Sequence, residues 1–310
     1  MIPFINLRKI DKKRLRNLKD RVETNLKSDD IWFVHTVLAQ CFLPYHDPKI
    51  ERWHKKNGAF SILLTAGAIE EKESFRVLGL PFGAKPRLFQ SYMCTQAIKH
   101  QSPVIPVEPS MTAMLVELGY DPKGGPRGNI ASFKEQITRF ARCHFTLVGP
   151  GPLEGMRRYI ETTPIKQFDV WFAPHPKQGT LWPSEIVLTD DYYYSLKDHA
   201  VPFDFRALKA IQNNPRSQDI YLWMTQRLCR IPQKKPLLML WKDLHEMFGG
   251  RTAFRRFKQL FPEELTAARI AYPDARVELQ KDGALFRTSL PPIPKTTVGV
   301  RKKSCEKPCQ

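Results

Sequence analysis

Residues 237–286 read LLMLWKDLHEMFGGRTAFRRFKQLFPEELTAARIAYPDARVELQKDGALF. The first four residues are an extended apolar run. Trp241, Leu244, His245 and Phe248 then recur at i, i+3, i+4 and i+7, one stripe of a helix. Gly249-Gly250 turns the chain. Phe254, Phe257, Phe261, Leu265, Ala268 and Tyr272 hold one helical phase across Pro262, which predicts one kinked helix or two nearly in line. The opposite face carries Arg255, Arg256, Gln259, Glu263 and Thr266. Residues 276–280 and 284–288 flank Lys281-Asp282-Gly283, and a D-G turn between short runs predicts a β-hairpin. Strand, helix, turn, basic-faced helix and hairpin, in that order, make a winged helix.

Upstream, Asp204 is placed to cap a helix through Ile211, and Ser217 to cap a longer one through Leu228. The same order of elements runs once more, earlier in the chain. Residues 85–100 read as a helix, and 103–107 (PVIPV) as extended because each proline disfavours helix. Ser110 caps a helix that Gly119 ends. A glycine-rich turn at 123–128 follows, and Asn129 is expected to cap the next helix. In that helix Ile130, Phe133, Ile137, Phe140 and Ala141 share one face, and Ser132, Glu135, Arg139 and Arg142 the other. Strands are expected at 144–148, 168–172 and 185–188. The two copies match in element order and not in residue identity.

Residues 6–30 alternate basic residues with Ile10, Leu15, Leu18 and Val22, the pattern of a basic amphipathic helix. Residues 31–43 read as a further apolar helix and 58–66 as a buried strand. After residue 292 the chain is polar, basic and without periodicity, the mark of disorder. The expectation is therefore an α+β chain with two winged-helix domains in tandem: a basic helical region at 1–57, the first domain at 58–200, the second at 201–292, and a disordered basic tail at 293–310.

The formal net charge is +18 over 310 residues, with a pI near 9.7. That balance points to a polyanionic partner, nucleic acid before others. No run approaches the roughly 20 apolar residues that span a bilayer, so no membrane partner is expected. The six cysteines form no C-x-x-C pair, which suits reduced thiols in a bacterial cytoplasm.

Arginine can take guanine edges bidentately or pair with phosphate. The expected DNA-reading set is Arg139 and Arg142 with Lys134 beside them, Lys123 and Arg127 in the preceding turn, Arg255, Arg256 and Gln259 with Lys258 beside them, and Lys281 at the wing tip. A solvated helix face is the plain alternative for either helix alone; the arrangement occurring twice favours DNA. The glycine turn lacks the G-K-[ST] of a nucleotide-binding loop. Tyr192-Tyr193-Tyr194 raises a metal-dependent nicking enzyme, but no pair of histidines flanking one apolar residue stands by to hold the metal. Asp190-Asp191 reads as a polar turn or cap, and Cys305 and Cys309 lack partners for a zinc site. No catalytic residue, metal or cofactor is expected.

Several short motifs stand in a recognisable order: Gly79-Leu80-Pro81-Phe82-Gly83 through Pro86-Arg87-Leu88; Leu118-Gly119 followed by Gly124-Gly125 and Gly128; Val201-Pro202-Phe203-Asp204; Ser217, Asp219-Ile220-Tyr221 and Trp223; Arg227-Leu228; Trp241 and Leu244 with Phe248-Gly249; Phe257-Lys258 and Phe261; Tyr272-Pro273 and Asp282-Gly283. Together, over about residues 58–292, they resemble the plasmid-encoded RepA replication proteins. Met224 and Pro262 depart from that pattern. The resemblance implies a non-enzymatic initiator that binds repeated double-stranded sites at a plasmid origin and recruits host machinery, the host initiator and replicative helicase among it. Homodimer formation is left open. The rival readings are a winged-helix transcriptional repressor and, in another class, the nicking enzyme.

Overall fold

The computed structural model describes residues 26–71, 73–125, 128–167 and 185–294. The expected basic helix at 6–30 (apart from its last residues), the strand at 168–172 and the tail from 295 onward lie outside the described residues. The apolar run from Ile31, expected as one helix, divides into β1 (Ile31–His35) and α1 (Thr36–Gln40). Bulky and β-branched Ile31, Trp32, Phe33 and Val34 suit a pleated strand. The His35 imidazole then caps the helix by accepting from the Val37 N–H.

Two hairpins follow, β2 (Arg52–Asn57) with β3 (Phe60–Thr65) and β4 (Ala68–Glu71) with β5 (Ser74–Val77). Next come α2 (Ala84–His100), β6 (Val104–Pro106), α3 (Met111–Glu117) and α4 (Asn129–Arg142). The strands β7 (His144–Pro150), β8 (Arg157–Thr162), β9 (Ile165–Gln167) and β10 (Glu185–Leu188) lead to α5 (Asp190–His199). The chain continues through β11 (Ala200–Asp204), α6 (Phe205–Ala210), α7 (Pro215–Arg227) and β12 (Leu237–Leu240). It closes with α8 (Trp241–Phe248), α9 (Phe254–Ala271), β13 (Val277–Gln280) and β14 (Gly283–Phe286). The architecture is mixed α+β with several small sheets.

Two of the sheets are built alike. One has the order β6-β10-β9 and the other β12-β14-β13. In each, the strand before the helix pair forms one edge and the last strand takes the centre; the far edge is the strand just after the helix pair in the second sheet, β13, and the third strand after it in the first, β9. Each set follows a long buried helix, α2 or α7, and encloses a helix pair, α3–α4 or α8–α9. The expected repeat of element order is thus present in three dimensions, with one difference. β7 was expected to follow α4 within the repeat; it joins instead a four-stranded antiparallel sheet ordered β2-β3-β7-β8.

The caps differ in detail from the sequence reading. Ser110 caps α3 as expected, its Oγ accepting from the Ala113 N–H at 3.1 Å, and Asp204 caps α6. The cap of α4 is Gly128; Asn129 is the first helical residue, and its amide donates to the Asp121 carbonyl at 2.7 Å. The cap of α7 is Asn214, which accepts from the Ser217 N–H ahead of Pro215 in the first turn. Across Pro262, α9 is one helix of 18 residues. Thr266, expected on its outer face, is buried and donates to the Pro262 carbonyl.

The boundaries expected at 57/58 and 200/201 do not separate bodies. Residue 58 is the turn of the β2–β3 hairpin, and residue 200 begins β11, which pairs antiparallel with β1 from Ile31↔Asp204 to His35↔Ala200. Trp32 stacks on Phe205 at a ring separation of 3.4 Å. A single apolar cluster runs from Trp32 to Phe286. Residues between Trp32 and Leu43 are therefore part of that core, and Trp53 of β2 packs against it.

Candidate nucleic-acid interface

The helix pair α8–α9 is shaped by its turn. Gly250 sits at φ +59°, and a Cβ there would meet the Tyr45 ring at 2.8 Å, so both conformation and space call for glycine. Beneath the turn lies the buried Arg216 of α7. It donates to both Glu264 oxygens (2.9 and 2.8 Å), to the Phe248 carbonyl (2.7 Å) and to Thr252 Oγ1 (2.8 Å). One side chain thus ties the end of α8, the turn and the middle of α9 together. Phe248, Phe257 and Phe261 fill the core between the helices, fully buried.

With Phe257 and Phe261 inward, Arg255, Arg256, Lys258 and Gln259 point outward and are exposed, and Phe254, expected on the inner stripe, is exposed beside them. Arg256 donates to Gln259 Oε1 at 3.0 Å. Lys258 lies over the Trp241 ring at 5.2 Å. The Trp241 indole N–H donates to the Lys281 carbonyl at 2.9 Å, and its backbone N–H to the Asp282 carbonyl at 3.0 Å. The hairpin tip carrying exposed Lys281 is therefore fastened to the start of α8. The structure brings all five expected residues of this half onto one connected surface.

The first half is arranged differently. Arg142 is exposed in the last turn of α4. Lys123 is exposed and pairs with Asp121 at 3.1 Å. Lys134 is half-buried, and Arg127 lies outside the described residues. Arg139, expected on the outward face, is turned inward, with only 15% of its side chain exposed. It pairs with Asp47 at 3.1 Å and Glu135 at 2.7 Å, donates to the Leu80 carbonyl and lies over the Phe82 ring. Its guanidinium fills the space beside Gly79, where a Cβ would meet it at 2.3 Å. These partners occupy its donors, so Arg139 builds the site and does not face outward from it.

Sequence reasoning passed over the segment Pro44-Tyr45-His46-Asp47-Pro48. It touches both helix pairs: Asp47 holds Arg139 of α4, and the Pro48 carbonyl accepts from Arg251 at 2.9 Å beside α9. The Tyr45 ring lies 5.2 Å from the Arg87 guanidinium and 5.1 Å from that of Arg216. Arg87 of α2 makes a buried two-pronged pair with Asp219 of α7, both bonds 2.8 Å, and donates to the Leu43 and Gly83 carbonyls. The two prolines around an aromatic and an acid were a signal for a fixed, packed loop. A second joint lies at Gly119 (φ +87°), where Gln212 donates to the Gly119 carbonyl and Lys209 to the Glu117 carbonyl.

The tyrosine triplet lies in α5. Tyr192 and Tyr193 are buried, Tyr192 against Cys94 Sγ, and Tyr194 is exposed. Among the described residues no three metal-binding side chains converge, and no helix is long and apolar enough to cross a membrane. Cys41, Cys94, Cys143 and Cys229 are unpaired.

No curated protein matches this chain. Among solved structures, a crystal structure of selenomethionine derivatives of domains 2 and 3 of RctB is 12% identical to it, with a TM-score of 0.49, covering 81% of this chain and 96% of that one. A family model described as plasmid-encoded RepA protein matches residues 80–241, more than half of the chain. The matched span starts just before α2, takes in the first helix pair and the Arg87–Asp219 pair, and ends at the first residue of α8; on that match the chain belongs to the family of plasmid-encoded RepA proteins.

Proposed function

We propose that this protein is a non-enzymatic replication initiator that binds double-stranded sites at a plasmid origin through two winged-helix units. The observation that carries the reading is the repeated sheet order, β6-β10-β9 and β12-β14-β13, each enclosing a helix pair. In the second unit α9 is the reading helix and the β13–β14 hairpin the wing. A helix of this kind enters the major groove, where arginine pairs with guanine edges and lysine with phosphates. Arg255, Arg256, Lys258, Gln259 and Lys281 supply both kinds of contact from one surface. In the first unit α4 takes the equivalent place, with Arg142, Lys123, Lys134 and Arg127 as its contacts and Arg139 as their support. Burial of Tyr192 and Tyr193 speaks against a nicking role for the triplet. Membership of the plasmid RepA family supports the origin as target and host replication proteins as partners.

The test is the double variant Arg255→Ala, Arg256→Ala. Both side chains are exposed, so the melting temperature should stay unchanged while specific binding to an origin duplex is lost, each bidentate contact being worth about 1–3 kcal/mol of discrimination. Normal origin binding by this variant would remove α9 from the reader's role.

A further inference from the structure

Phe254 is the first residue of α9 and departs from the pattern of its own helix. Phe257 and Phe261, in the same phase, are fully buried, whereas Phe254 is 43% exposed and lies outside the apolar cluster that takes them in. Its neighbours Arg255, Arg256 and Lys258 are exposed as well. The ring is nevertheless held in place. The His245 imidazole of α8 packs against it, with centroids 5.3 Å apart and planes at 85°. His245 is itself fixed, its Nε2–H donating to the Thr252 carbonyl at 2.7 Å. Lys258, one helical turn on, has its Nζ 5.9 Å from the centre of the Phe254 ring.

We propose that Phe254 packs on the C5-methyl group of a thymine in the origin site. The inference rests on α9 being the reading helix. In that geometry the N-terminal residues of the helix reach base edges, and Phe254 is the first of them. A phenyl ring offers those edges no hydrogen bond. The apolar group that a base pair presents in the major groove is the thymine methyl, and the other groups read there are donors and acceptors. Arg255, Arg256 and Lys258 put positive charge beside the ring. Phosphates and guanine edges would pair that charge, whereas an apolar protein surface laid over the ring would bury it unpaired. Because His245 already orients the ring, little side-chain freedom is lost on contact. Arginine selects guanine, so Phe254 adds a preference that the two arginines do not supply.

Single thymines of the origin duplex are replaced in turn by deoxyuridine, which removes the methyl group and leaves every hydrogen-bonding atom in place. At one or two positions the full-length protein should bind about fourfold more weakly, the worth of one buried methyl. Phe254→Ala should melt like the unaltered protein, bind the unsubstituted duplex more weakly by a similar factor, and be indifferent to deoxyuridine at those same positions. Phe254→Leu, which keeps an apolar contact, should keep the preference for thymine there. No loss on any deoxyuridine duplex, or equal losses in the unaltered protein and Phe254→Ala at every position, would overturn the proposal. A large fall in the melting temperature of Phe254→Ala would also overturn it and make the ring a support of the fold. Arg255→Ala with Arg256→Ala tells the two readings apart. If that variant binds the origin normally, the reading role of α9 fails; if it loses the origin while thymine and deoxyuridine duplexes bind the unaltered protein alike, only the role of Phe254 fails.

Discussion

His35 shows what one buried side chain can impose. Its Nδ1 accepts from the Val37 N–H, so the ring proton sits on Nε2 and is donated to Ser195 Oγ at 2.9 Å. A second proton would have to enter at Nδ1, against an N–H already pointing there. Burial, reinforced by the nearby charge of His199, holds the imidazole down at about 3 from its usual 6.5. Below pH 6.5 the unfolded chain takes up a proton that the fold refuses, so stability falls as pH drops from 6.5 towards 3. His35→Gln removes this contribution. The stability advantage of the native protein over the variant should shrink by about 2 kcal/mol between pH 7 and pH 5, as read by urea denaturation at the two values. An unchanged difference would mean that His35 is protonated in the fold. None of this was legible in the sequence, where a lone histidine in an apolar run says nothing of its partner 160 residues away. Arg139 was misread for the same reason. Its helical position resembles that of Arg255, and only the fold brings Asp47 to it.

Among the elements, α9 was legible because its pattern is long, aromatic and regular, and the observed helix keeps the phase read across Pro262. Its inner face gives a prediction opposite in kind to the arginine variant. Phe257 is fully buried between Phe261, His245 and the Arg216 guanidinium. Phe257→Ala should cost about 3–5 kcal/mol of stability, measured by denaturant unfolding, and should lose DNA binding only to the extent that the protein unfolds. A variant that stays stable and still loses DNA would place Phe257 at the interface. The run 31–43 was not legible, since short apolar stretches fit strand and helix equally. Its partner β11 decides the matter. Caps went astray by one to three residues where two capping types stand close together, as Asn214 and Ser217 do.

For the whole molecule, the repeat of two units was legible in element order, but their fusion was not. Pairs such as Arg87–Asp219 and loops such as 44–48 join residues far apart in sequence. The shared core and the β1–β11 pairing predict one cooperative unfolding transition, with tryptophan fluorescence and far-ultraviolet circular dichroism coinciding. Arg87→Ala leaves Asp219 buried without its cation, and breaking such a pair costs about 3–5 kcal/mol. The transition should move as a unit. Two separated transitions in the unaltered protein would show that the halves fold independently. The β1–β11 pairing also bears on how the chain is made. A strand that opens the described chain waits for a partner roughly 170 residues later. At about 5–20 residues per second of synthesis, the Ile31–Val34 edge, with Trp32 and Phe33 bare, leaves the ribosome some ten seconds or more before Phe205 arrives to cover it. Throughout that interval the nascent chain carries an open, sticky strand, and its yield in the cell becomes a matter of translation speed and chaperone supply as much as of final stability.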